Sequence, residues 1–246
     1  YPVSALAVLL IAVGCADICA ALTDRRWPAL VAGPLVVAGF AALGALWQPG
    51  DIALMLWAAT ISVTWVSLGA QADRTGEHRG RALTVFAAGV AAPLLLAGWA
   101  SPVAGPAQAW LHWVGADHLD PGHVLTLVGV VAVQLVTANR LVRLLLGSIG
   151  SLPAPGAGAS SPSDRLKGGR LLGPMERLLI VGLGVSGELG AASLVVAAKS
   201  IIRFPELNAQ RDISDGVGID EVTEYFLVGS FASWLFALAG LTLATT

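Results

Sequence analysis

Glu188 is the residue in this chain whose chemistry most needs explaining. It lies about twelve residues into an apolar run that opens at Met175-Glu176-Arg177. If that run crosses a bilayer, the carboxylate sits near mid-membrane, where insertion costs roughly 2.5–3.5 kcal/mol, so it should face the bundle interior and have a partner. Lys199 returns to nearly the same helix face, but eleven residues at 1.5 Å each put it about 16 Å away, too far to pair directly. Gln134 and Thr137 in the fifth apolar run are better candidates, as is Asp17 in the first if one of the two carboxyls is protonated. A functional polar site and an interhelical hydrogen bond with a structural role both fit these residues.

Lys199 and Arg203 share a face near the outer end of the same run, where long basic side chains can snorkel to headgroups. They could equally hold an anion or a lipid phosphate. The segment that follows is acidic, with Glu206, Asp212, Asp215, Asp220, Glu221 and Glu224 against Arg211. Glu224 and Tyr225 open the last apolar run, so an ion-pair latch to Lys199 and Arg203 is the simplest use of these charges. The acidic spacing fits no calcium loop. Gly182, Ser186 and Gly190 recur every four residues, a small-residue stripe that would let another helix approach closely.

Other apparent motifs carry less. Gly182, Gly184 and Gly187 match a dinucleotide fingerprint by letter, yet lack the strand and βαβ unit it needs. Cys15 and Cys19 stand one turn apart and read as small packing residues. His112, His118 and His123, with Asp117 and Asp120, have no recognised ligand spacing, so no metal is expected there. No nucleophilic triad, phosphate loop or catalytic carboxylate pair is identifiable. No cofactor is expected, and whether the chain is an enzyme stays open.

The elements that must position these residues follow from composition. Of 246 residues 56% are hydrophobic and 12% charged, about half the charge of an average soluble domain. Mean hydropathy is +0.76. The net charge of −2 gives no reason to expect nucleic acid, and two cysteines exclude a disulfide scaffold. Seven stretches approach the ~20 apolar residues that a bilayer requires: 3–22, 29–47, 52–71, 82–99, 124–147, 172–203 and 222–244. The expected fold is therefore all-α, a polytopic transmembrane bundle of about seven spans. Pro34 should lie in a first turn, where proline is tolerated, and Pro93 should kink its helix. The chain begins at Tyr1 without an initiator methionine, so a preceding segment is expected. The run 3–22 reads as a span and not a signal peptide, because Asp24-Arg25-Arg26 follows it as a stop-transfer flank.

Basic residues set the orientation. Arg25 and Arg26 follow the first span, Arg74, Arg79 and Arg81 the third. Arg140, Arg143, Arg165, Lys167, Arg170 and Arg177 flank the connection after the fifth. This asymmetry places the N-terminus outside and the C-terminus in the cytoplasm. Trp27, Trp47, Trp99, Trp110 and Trp113 fall at or beside span ends, where indoles favour the headgroup zone. Trp57 and Trp65, inside the third span, read as packing residues. The loop 100–122 should include a short interfacial helix. Residues 148–171, rich in Pro, Gly and Ser, read as a flexible cytoplasmic linker between a five-span part (1–147) and a two-span part (172–246).

The C-terminal part carries three ordered signatures: Glu176-Arg177-Leu-Leu-Ile, Ala197-Ala198-Lys199-Ser200-Ile-Ile-Arg203-Phe204, and Glu224-Tyr225-Phe-Leu-Val-Gly229-Ser230. Over roughly residues 172–235 it resembles a bacterial family of uncharacterised multi-span inner-membrane proteins. That resemblance implies a polytopic inner-membrane protein, with a polar residue, often glutamine, near the position of Glu188. Three functions follow as expectations. The first is a small-solute or ion transporter or channel component using the sixth span. The second is a non-catalytic subunit assembling with membrane partners or with itself. The third is a membrane-embedded enzyme acting on lipid-linked or phosphorylated substrates, its phosphate held by Lys199 and Arg203.

Overall fold

The computed structural model describes residues 4–23, 25–149, 169–198, 201 and 219–245, with backbone alone for 169–171 and 219–226. Among these residues the chain is helical and has no strand. Its elements are α1 (Ser4–Leu22), α2 (Arg26–Leu43), α3 (Pro49–Thr75), α4 (Arg79–Leu95), a 3₁₀ turn (Ala97–Trp99), α5 (Pro106–Trp113) and α6 (Pro121–Ala132). A π-turn (Val133–Thr137) leads into α7 (Ala138–Ser148), and α8 (Gly169–Val185) and α10 (Ile219–Thr245) follow. A short apolar helix, α9 (Leu189–Ala198), lies between those two. The linker residues 150–168, together with Asp24, Lys199 and Arg203, are outside the described set.

Five helical stretches are long and apolar enough to cross a membrane: Ser4–Leu22, Arg26–Leu43, Pro49–Thr75, Pro121–Ser148 and Leu227–Thr245. The other two expected spans are shorter. α4 has 17 residues, ending two residues after Pro93. The sixth expected span is interrupted, with α8 stopping at Val185 and α9 starting at Leu189. Pro34 is also placed differently from the expectation. Because α2 begins at Arg26, Pro34 lies in the helix interior, where it can donate no hydrogen bond to the carbonyl of Leu30.

The chain divides into two compact units, Tyr1–Thr137 and Ala138–Thr245. The division falls at the end of the π-turn and not in the linker, so α7 groups with the C-terminal helices.

In the first unit α1 is the central helix, buried along most of its length, and it packs against α2, α3, α4, α6 and the π-turn. Leu125 shares a core cluster with Ala7 and Ile11, Gly129 abuts Ala7, Leu10 and Ile11, and Gly14 abuts Ala132. Residue numbers rise together along both helices, so α1 and α6 run parallel. A Cβ on Gly14 would sit 2.7 Å from the Ala132 Cβ and 2.9 Å from its carbonyl carbon. Only glycine permits that approach.

The segment after the 3₁₀ turn folds back over one end of this unit. Asp51 is buried and accepts the backbone N–H of Ser101 at 2.7 Å and that of Gln48 at 3.2 Å. Ser4 Oγ donates to the Ser101 carbonyl at 2.7 Å, and the Ala104 N–H to the Gly44 carbonyl at 3.0 Å. The short helix expected between 100 and 122 is α5. Trp27, Trp47, Trp99, Trp110 and Trp113 are all exposed, as indoles meant for an interface would be.

In the second unit α8 and α10 pack closely, with Gly184 against the Leu241 side chain, and α7 joins them through Leu146 and Val142 beside Gly229.

Candidate functional site

Among the described residues, polar constellations lie within apolar helices in each unit. In the first unit the Trp65 indole Nε1 donates to Asp17 Oδ2 at 2.9 Å, and both residues are buried. The Trp65 ring also meets Phe86 with centroids 5.2 Å apart, so its plane is held from a second side. Asp17 lies three residues beyond Gly14 on α1, and the π-turn begins just beyond Ala132. The parallel register therefore brings Asp17 level with the turn that carries Gln134 and Thr137. Both of those side chains are buried, Thr137 completely. π-turns inside α-helices are frequent at functional sites and displace backbone carbonyls from the regular ladder.

Sequence reasoning offered Asp17, Gln134 and Thr137 as alternative partners for Glu188. The structure places all three in one unit, with Trp65 donating a hydrogen bond to Asp17. Trp57, read together with Trp65, is 38% exposed whereas Trp65 is 0% exposed. The signal for the pairing was available. A tryptophan in the middle of an apolar helix needs an acceptor for its N–H, and Asp17 is a buried acceptor on a neighbouring span.

The second constellation is the interruption of the sixth apolar segment. Gly187 adopts the left-handed conformation at φ +84. The Gly187 N–H donates to the Gly184 carbonyl at 3.0 Å and the Glu188 N–H to the Leu183 carbonyl at 2.8 Å. This is the hydrogen-bond pair of a glycine-terminated helix. The Glu188 carbonyl then accepts from the Ala192 N–H at 3.1 Å, opening α9. Glu188 thus stands between two helix ends.

Glu188 is exposed, which corrects the expectation that it faces the bundle interior. Gly182, Ser186 and Gly190 are exposed too, and Gly182 and Gly190 have open space where a Cβ would go. Among the described residues nothing packs against Gly182 or Gly190. Close packing falls to Gly184, because the turn at Gly187 ends the regular four-residue spacing. A glycine followed by a polar residue inside an apolar run is a helix-stop signal, and hydropathy alone passes over it.

Arg177, expected near the inner interface, is instead 1% exposed. Its Nη1 donates to Ser233 Oγ at 2.9 Å and its Nη2 to Asn139 Oδ1 at 2.7 Å, joining α8 to α10 and α7. Gly173 makes room, since a Cβ there would meet Asn139 Oδ1 at 3.2 Å and Arg177 Nη1 at 3.4 Å. Arg140 is buried as well. Two residues counted as loop charges are therefore internal to the second unit. Lys199 and Arg203 lie outside the described residues, as do the side chains of Glu224 and Tyr225, whose backbone belongs to α10.

On the first unit a cavity of about 660 Å³ is lined by Gln108, His112, Asp117, His118 and Asp120 among others. His112 Nδ1 contacts Asp117 Oδ1, and Asp120 caps α6 by accepting the His123 N–H. Among the described residues no three His, Cys, Asp or Glu side chains are grouped to hold a metal. Cys15 and Cys19 are free thiols. Comparison of the chain with protein-family models, curated proteins and solved structures gives no match.

Proposed function

We propose that this chain is an integral protein of the bacterial inner membrane that acts as a small-solute or ion transporter or channel component through its interrupted sixth segment. One observation carries the reading: the helix break at Ser186–Glu188, with a carboxylate beside it, inside an apolar run. Irregular backbone at membrane depth is tolerated only where protein covers it or water reaches it. Discontinuous helices in transporters use such breaks to place helix ends and a charged group at the solute or ion path. The positive end of α9 favours the Glu188 carboxylate, and the carbonyl end of α8 offers acceptors to a cation.

In this reading the chain crosses about seven times. α4 with its 3₁₀ turn makes the fourth crossing, and α8 with α9 the sixth. The arginine asymmetry puts the N-terminus outside and the C-terminus in the cytoplasm. The three C-terminal signatures support membership of that part in the uncharacterised bacterial family. The bilayer is the principal partner, with a lipid or anion near Lys199 and Arg203.

Reconstitution tests the proposal. Proteoliposomes carrying a trapped pH dye and a fluorescent cation reporter should show flux above protein-free vesicles, and Glu188→Gln should reduce it at least about tenfold, roughly 1.4 kcal/mol in barrier terms. Flux equal in both proteins removes Glu188 from the mechanism. The open surfaces at Gly182 and Gly190 favour a second reading, a subunit that receives a partner helix there. A stoichiometric second membrane polypeptide, with no flux from this chain alone, would carry that reading instead.

A further inference from the structure

We propose that the cavity beside α5 in the first unit binds an organic ammonium ion, its N–H groups donating to Asp117, Asp120 and Gln108. The cavity holds about 660 Å³, within the usual range for small organic ligands and far more than a bare metal ion fills. With histidines counted neutral, its described lining carries two carboxylates and no Lys or Arg, so it favours a cation. The local fold occupies one oxygen of each carboxylate. Asp117 Oδ1 meets His112 Nδ1, and Asp120 Oδ2 accepts the His123 N–H at 2.8 Å. Among the described residues the second oxygens, Asp117 Oδ2 and Asp120 Oδ1, accept no hydrogen bond, and the side chains of Gln108 and His118 make none. The fold therefore accounts for only some of the polar groups that converge on this cavity and leaves the others to a ligand.

The lining also sets the class of ligand. Among the described residues no three His, Cys, Asp or Glu side chains are grouped to hold a metal, so a coordination site does not fit. An ammonium needs no such shell, because its N–H donors can each take a separate acceptor, and carboxylate, amide carbonyl and imidazole nitrogen all accept. Leu111, Leu119 and Pro121 give the cavity an apolar side, which suits a carbon chain attached to the nitrogen. A quaternary ammonium fits poorly, since it has no N–H and is held by Trp, Tyr or Phe faces, none of which is in the described lining. Free alkyl polyamines and aminophospholipid headgroups both supply a primary ammonium on a carbon chain. Trp110 and Trp113, exposed on α5, favour the headgroup zone, which brings both sources within reach. This site belongs to the first unit and stands independently of the role given to Glu188.

The full chain in phosphatidylcholine nanodiscs tests this through retention of radiolabelled spermidine. The expected result is saturable binding, displaced by ethanolamine far better than by choline, which has no N–H donor. Asp117→Asn and Asp120→Asn should each weaken spermidine affinity at least about tenfold, or 1.4 kcal/mol. Asparagine caps a helix as well as aspartate does and can still accept from His112, so both variants keep the local fold while losing the charge. Glu77→Gln and Glu188→Gln should bind as the parent does. Discs doped with phosphatidylethanolamine separate the two sources. Spermidine excluded by that lipid assigns the cavity to an aminolipid headgroup, and spermidine bound undiminished assigns it to a free amine. Absence of saturable retention in phosphatidylcholine discs overturns the proposal. So does retention that both asparagine variants preserve, or that choline displaces as well as ethanolamine does.

Discussion

Trp65 shows how far a single residue's role can depend on its neighbours across space. It reads as a packing residue beside Trp57, yet it holds a buried carboxylate by a 2.9 Å hydrogen bond while Trp57 is partly exposed. Hydrogen bonds between transmembrane helices average only ~0.6 kcal/mol, but this one has a carboxylate acceptor and a large buried donor. Trp65→Phe should therefore destabilise the protein by about 1–3 kcal/mol in a reversible unfolding assay in micelles. Trp57→Phe should stay within about 0.5 kcal/mol. Equal effects of the two substitutions would show that the Asp17–Trp65 bond contributes nothing. Arg177 makes the same point from the opposite charge. Its position in the chain suggests an interfacial cation, but its guanidinium is spread between Ser233 and Asn139, two acceptors that only the folded unit brings together.

At the scale of elements, hydropathy foretold where helices lie better than where they stop. The bounds of α1, α2 and α3 fall within a few residues of the apolar runs, because a helix in an apolar setting must satisfy its own backbone throughout. The breaks depend on chemistry that hydropathy averages away: left-handed Gly187, Pro93 near the end of α4, and the π-turn after Ala132. Glycine spacing misled in a related way. The regular stripe at 182, 186 and 190 is open, whereas Gly14 and Gly184 make the close contacts. Gly14→Ala should destabilise by about 1–3 kcal/mol, because its new methyl meets backbone and not a flexible side chain. Gly182→Ala, with open space before it, should be neutral or up to about 1 kcal/mol stabilising through helix propensity. Melting curves of the two variants in the same detergent decide this, and the reverse order would refute the α1–α6 contact.

For the whole molecule, the topology proposed from arginine placement has a direct check. In Glu77→Cys and His118→Cys variants, with Cys15 and Cys19 replaced by serine, the two new thiols should lie on opposite sides of the membrane. A membrane-impermeant maleimide applied to intact cells should label His118→Cys at once and Glu77→Cys only after permeabilisation. Labelling of both from outside would reverse or dismantle the orientation. The Pro/Gly/Ser-rich stretch suggests a boundary at 148–171, whereas the compact units separate after Thr137, because the packing of α7 on α8 and α10 outweighs its continuity with α6.

What the amino-acid order determined unaided is the helical class, the approximate limits of the longest apolar helices, and the uneven distribution of arginine. Each of these is a sum over neighbouring residues, so a short window suffices to read it. Only the tertiary structure decided that Asp17 meets Trp65 beside a π-turn, that Arg177 is internal, and that Glu188 sits exposed at a helix break. Those outcomes depend on the register between helices far apart in the chain, which close glycine contacts and a few long-range hydrogen bonds establish and no local window contains.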